Sequence, residues 1–173
     1  MMSASIVNGQ RPRMGILCAL LSIGSGQVIA AQTTSDSLHA CDLASNADVE
    51  KITGRHSKDP PGRLTTTRHN ESACDFWEAK IQVALFSGQM SQRFIDRILD
   101  ANGFARTKHV AGGVGDSAFI YFTQPGKDAE GLLFAYAGGR VVTVRMKADQ
   151  GQPAESTQRA AGGLAKSALA KLR

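Results

Sequence analysis

The amino-acid sequence predicts an α+β domain: an antiparallel sheet of about five strands with helices packed on one face, and one disulfide. Three observations carry that expectation. Apolar residues recur with period 2 in some segments and with the 3.6-residue period of a helix in others. These segments run in the order helix, two strands, helix, three strands, helix, which describes a sheet covered by helices. Gly138-Gly139, between two β-rich runs, marks an antiparallel hairpin near the C-terminus.

The chain opens on an export signal. Residues 1 to 13 carry Arg11 and Arg13 and no acidic residue, and Met14 to Ile23 is an apolar run too short to anchor in a bilayer. Small residues around Ala30 and Ala31 suit cleavage, so residues 1 to 31 are expected to be a removable signal peptide. Cys18 lies in the apolar run, but the bulky Leu17 before it argues against lipidation. Residues 32 to 40 are polar and aperiodic and are expected to form a disordered lead. Residues 41 to 173 then make a single α+β domain of ordinary size.

Within that domain, Ser45 and Asp48 have a capping spacing, Val49 and Ile52 share a helical face and Gly54 stops the helix, which predicts a helix over 46–53. His56 to Gly62 contains Pro60 and Pro61 and reads as a turn. The threonine-rich segment 64–68 reads as a strand. From Trp77 to Leu85 the odd positions are apolar while Glu78, Lys80 and Gln82 are polar, which places Trp77, Ile81, Val83 and Leu85 on the core face of a strand. Between Met90 and Asn102 the period becomes helical: Phe94, Ile95, Ile98 and Leu99 form one stripe and Gly103 closes it. Segments 118–123, 132–136 and 141–147 are β-rich, the last two flanking the glycine pair. After Pro153, Ala161, Leu164, Ala168 and Leu172 line a final helix that ends among Lys166, Lys171 and Arg173.

Composition narrows the function classes. The full chain carries 20 basic and 15 acidic residues, a net charge of +5. Losing Arg11 and Arg13 with the leader reduces this to +3, and the basic residues are scattered without interleaved aromatics, so nucleic acid is not an expected partner. No segment after the leader is long and apolar enough to predict a membrane span. Of three cysteines, Cys18 leaves with the leader, and the remaining Cys41 and Cys74 are expected to pair in an oxidising compartment. Periplasmic or secreted localisation follows as an expectation.

Cys41-Asp42-Leu43 leads into the Asp48-Val49-Glu50 helix ending at Gly54. Cys74 opens a strand, Gly113-Val114-Gly115-Asp116-Ser117-Ala118 precedes another, and a closing hairpin is followed by an Ala/Lys helix. Over about residues 41 to 173 this arrangement resembles small exported bacterial proteins and lipoproteins of unknown function. Ala44 stands where that group usually has an aliphatic residue. The resemblance implies a similar disulfide and fold and brings no activity with it.

The residues that could carry chemistry are few. Gly113, Gly115 and Asp116 form a glycine-rich loop, but it precedes a strand instead of linking a strand to a helix and lacks the Lys-Ser/Thr pair of a phosphate loop, so it reads as a tight lead-in to the strand. His39, His56, His69 and His109 have no metal-ligand spacing, and no serine sits in a nucleophile elbow. No cofactor, metal or catalytic residue is expected. Asn70-Glu71-Ser72 fits a glycosylation sequon. The even positions Phe76, Lys80, Gln82 and Phe86 form the candidate binding face, on the side of the sheet opposite the core, and predict a protein partner before a small molecule. The expected function is an exported, non-catalytic binding module. The alternative is an inhibitor or immunity-type protein of an envelope hydrolase, working through segment 58–63 or 112–116.

Overall fold

The computed structural model describes residues 38–66, 71–123, 129–148 and 154–172, all within one compact unit, Ser35–Arg173. The signal segment, most of the lead, His69, Asn70 and Pro153 lie outside these residues. The elements are α1 (Ala40–Leu43), α2 (Asn46–Thr53), β1 (Gly62–Thr66), β2 (Glu71–Phe76), β3 (Ile81–Ser87), α3 (Gln92–Ala101), β4 (His109–Val110), β5 (Ser117–Phe122), β6 (Glu130–Ala137), β7 (Arg140–Lys147) and α4 (Ala154–Ala170). All seven strands form one antiparallel sheet in the order β1-β2-β3-β7-β6-β5-β4. Two meanders, β1 to β3 and β4 to β7, therefore meet where their last strands pair.

The α+β class holds, with seven strands in place of five. The added pair are β2 and the two-residue edge strand β4. The segment read as a strand from Trp77 to Leu85 begins instead with a turn: β2 ends at Phe76, residues 77–80 turn, and β3 begins at Ile81, so that Phe76 lies opposite Ile81. Apolar Trp77 and Ala79 happen to continue the alternation of β3, and the turn contains no Gly, Asn or Pro to betray it. Lys80 instead takes the left-handed conformation, φ 54°, that closes the hairpin.

One face of the sheet carries the larger core. Cys74, Phe76, Ile81, Val83, Leu85, Ile120, Leu133, Val142, Val144 and Met146 are packed beneath Leu43 of α1, Val49 of α2, and Ala161, Leu164, Ala165, Ala168 and Leu169 of α4. Not every helix lies there. The apolar stripe of α3, with Ile95 and Leu99 buried, packs on the opposite face over Phe86, Tyr121, Phe134 and Val141. The physical reason is visible in the strands: these four residues are large and apolar on the second face and need a cover of their own.

Helix ends follow the chemistry expected of them. Ser45 and Asp48 exchange side-chain and backbone hydrogen bonds in a capping box, and α2 stops at Gly54. Asp48 also accepts from Lys171 Nζ at 2.8 Å, joining α2 to the end of α4. This contact, with the bonds from Ser45, holds the Asp48 carboxyl at about 2. Phe104 N–H donates to Leu99 O at 3.0 Å and closes α3 around Gly103. Gly138 and Gly139, at φ 55° and 77°, make the β6–β7 hairpin.

Leu38, His39 and Ala40, expected in a disordered lead, belong to the folded unit. Ala40 is buried and its N–H donates to Ser72 Oγ at 2.9 Å, while the His39 ring Nδ1 caps α1 by accepting from Cys41 N–H. Beside that contact the Cys41–Cys74 disulfide fastens α1 to β2, with Cα atoms 4.9 Å apart.

Candidate functional site

The four residues of the expected binding face do not share a face. Side chains alternate along a strand, so Phe76 at the end of β2 points with Cys74 into the α4-covered core and is fully buried. Phe86 does lie on the second face, but under α3, where its ring meets Phe94 edge-on at 6.4 Å and only 6% of the residue is exposed. Lys80 sits in the β2–β3 turn. Gln82 opens onto the part of the second face that α3 leaves bare, Lys80 borders the same opening from the turn, and there they join residues that the sequence reading did not single out.

That bare end is a cleft of about 300 Å³ lined by Asp75, Trp77, Lys80, Gln82, Glu130, Arg145 and Lys147, among others. Strand register builds its floor. Gly62 of β1 lies opposite Asp75 of β2, Asp75 opposite Gln82 of β3, and Gln82 opposite Arg145 of β7. Directly opposed residues project to the same face, so these positions form one row across four adjacent strands. With strands about 4.8 Å apart, the row is about 14 Å long.

Each polar group on the floor has a partner. Gln82 Nε2 donates to Asp75 Oδ1 at 2.6 Å, which compensates a carboxylate whose residue is 7% exposed. Arg145 Nε donates to Glu130 Oε2 at 2.7 Å and Arg145 Nη1 to Asn102 Oδ1 at 3.0 Å, at the end of α3. The same guanidinium lies 5.7 Å from the Phe104 ring, so Arg145 marks the boundary between covered and open sheet.

Trp77 forms one wall. It was expected in the core and is instead 69% exposed, because the chain leaves the sheet at Phe76. A β-carbon at Gly62 would lie 2.9 Å from the Trp77 Nε1, so the indole rests against the bare backbone of β1. Its turn is braced from behind: Arg55 donates to Ala79 O and Lys147 O, and Lys147 N–H donates to Lys80 O at 3.2 Å.

The glycine-rich loop has a structural role. Gly138 N–H donates to Asp116 Oδ2 at 3.1 Å and Asp116 N–H donates to Tyr136 O at 2.8 Å, so the loop is fastened to the β6–β7 hairpin. At Gly115 a β-carbon would collide with Tyr136 O. Gly113 lies in the same loop with φ 73°. The described histidines are apart: His39 caps α1, His56 pairs with Glu50, and His109 packs edge-on against Phe122. Among the described residues no group of three His, Cys, Asp or Glu side chains could hold a metal ion, and no helix is long and apolar enough to cross a membrane.

At the other end of the second face, aromatic side chains dominate. Lys108 Nζ stands 3.3 Å from the Phe119 ring centroid, and burial raises the hydroxyl pKa values of Tyr121 and Tyr136 above the usual tyrosine value. Compared with known proteins, the chain matches no family model, no curated protein and no solved structure.

Proposed function

We propose that the protein is an exported, non-catalytic binding module and that its ligand enters the cleft between Trp77, Gln82 and Arg145. The observation that carries this reading is Trp77. A large aromatic left 69% exposed beside a concave, polar floor is the kind of anchor that binding surfaces use, and soluble domains otherwise bury such a side chain. Lys80, on the same turn, holds a left-handed backbone conformation that costs a non-glycine residue about 1 kcal/mol, and such strain gathers at functional positions. The non-catalytic part of the reading rests on the floor itself, where Asp75 is engaged by Gln82 and Glu130 by Arg145, with no nucleophile paired to a base.

Export and a periplasmic or secreted location are part of the same proposal. They are supported by the Cys41–Cys74 bridge, which belongs to oxidising compartments, and by the signal-like segment 1–31. Kinship with the small exported bacterial proteins is proposed on the same grounds. The test is capture from an envelope extract by the immobilised, oxidised protein, with Trp77→Ala and Gln82→Ala in parallel. Both variants are expected to lose the captured component; Trp77→Ala should keep the wild-type melting temperature within a few degrees, while Gln82→Ala, which strips the buried Asp75 carboxylate of its partner, should lower it measurably but stay folded. Identical capture by all three proteins would refute the placement of the site. An inhibitor of a hydrolase, working through segment 58–63 or 112–116, would announce itself by bringing the enzyme down with its activity blocked.

A further inference from the structure

We infer that the ligand of this cleft is a neutral, hydroxyl-rich saccharide chain, an inference that rests on the cleft being the binding site. A protein partner was expected because Phe76 and Phe86 were expected to make an apolar surface; both are buried, and what remains open is one indole and a row of polar groups. The row presents, in order from Trp77, a carboxylate, an amide and a guanidinium on adjacent strands: Asp75, Gln82 and Arg145. Carboxylate and amide together accept from and donate to neighbouring hydroxyls, and the guanidinium adds donors beyond them.

The charges on the floor are already in contact with neighbouring groups. Asp75 is already engaged by Gln82, and Arg145 forms a 2.6 Å ion pair with Glu130. Hydroxyl groups add hydrogen bonds to these contacts as they stand, since a carboxylate and a guanidinium each keep acceptor or donor capacity beyond a single partner. The indole supplies what a sugar ring also requires, a flat apolar platform for its C–H face. Gly62 fixes the platform's position, since any side chain there would push the indole off β1. A floor of about 14 Å suits a short oligosaccharide better than a single ring.

Trp77 is the chain's only tryptophan, so its emission reports this wall alone. The experiment titrates the oxidised protein with cellotetraose, maltotetraose and chitotetraose and follows tryptophan fluorescence. At least one of the three is expected to shift the emission saturably. Asp75→Asn, which preserves shape, and Gln82→Ala should each weaken that binding about tenfold or more. Gly62→Ala is expected to shift the emission before any sugar is added and to weaken binding several-fold, the sign of a positioning residue. Melting temperatures of the variants identify any that fail to fold. If no oligosaccharide perturbs the emission while Trp77→Ala still loses its captured envelope component, the saccharide inference is wrong and the cleft remains the site. If Trp77→Ala loses nothing, the site and the inference fall together.

Discussion

Phe76 and Trp77 are neighbours in sequence, and exchanging each for alanine tests whether the chain turns between them. Phe76 is fully buried between β2, β3 and the helices above them. Phe76→Ala removes a core ring that its surroundings cannot replace, and buried phenylalanines cost about 3 to 5 kcal/mol on this change. That is a large part of the 5 to 15 kcal/mol typical of a domain, and corresponds to a fall of about 10 to 20 °C in Tm. Trp77 is 69% exposed, so Trp77→Ala should cost under about 1 kcal/mol. Thermal and urea unfolding followed by far-UV circular dichroism measures both, since the second variant has no tryptophan to observe. A strand running straight through Trp77 would bury the indole and reverse the order. If Trp77→Ala proves the more damaging, the turn over residues 77–80 and the cleft built on it are wrong.

Three further outcomes follow from the fold. Replacing Cys41 and Cys74 together by alanine opens a loop spanning 33 positions and should cost about 3 to 4 kcal/mol by chain entropy, read as a lower urea midpoint that reductant reproduces in the wild type. Asp48 titrates at about 2 in the folded chain against an ordinary 3.8, so its contribution is complete above about pH 4 and is lost as the pH falls towards 2. The shift corresponds to about 2.4 kcal/mol at most, and with Asp48 27% and Lys171 41% exposed, screening leaves about 1 kcal/mol; urea midpoints of Asp48→Asn should be flatter across that window by this amount, and equal slopes would disprove the linkage. Gly115→Ala sets a β-carbon against Tyr136 O in a left-handed position, φ 60°, and should cost about 2 kcal/mol or more, whereas Gly112→Ala, with open space around it, should cost far less.

Much of the layout was legible because short-range chemistry decides it. Ser45, Asp48 and Gly54 bound α2 as their capping roles require, and Gly138-Gly139 turn the hairpin. The stripe of α3 was equally clear, but a stripe says that a helix packs and not which side of a sheet it packs on. The strands hold that information in the polarity gradients of their two faces. Along β7 the even positions Val142, Val144 and Met146 are apolar throughout, while the odd positions run Val141, Thr143, Arg145, Lys147, from apolar to charged. Along β3 the even positions run the other way, Gln82, Ala84, Phe86. Both gradients describe a second face that is covered at one end and open at the other.

By itself, then, the sequence determined the class of the fold, the helix ends, the hairpin, the pairing of Cys41 with Cys74 and the polarity of each strand position, since these depend on neighbours a few residues away or on a count of cysteines. Only the tertiary structure decided that Phe76 is core and Trp77 is surface. That choice turns on where the chain leaves the sheet, and the turn at 77–80 is held by Arg55 and Lys147, residues distant in sequence, without turn-forming side chains of its own. The row of Asp75, Gln82 and Arg145 is likewise a product of register across β2, β3 and β7. Registers are set by packing the whole sheet between its helices, so no local pattern could have brought those three side chains together.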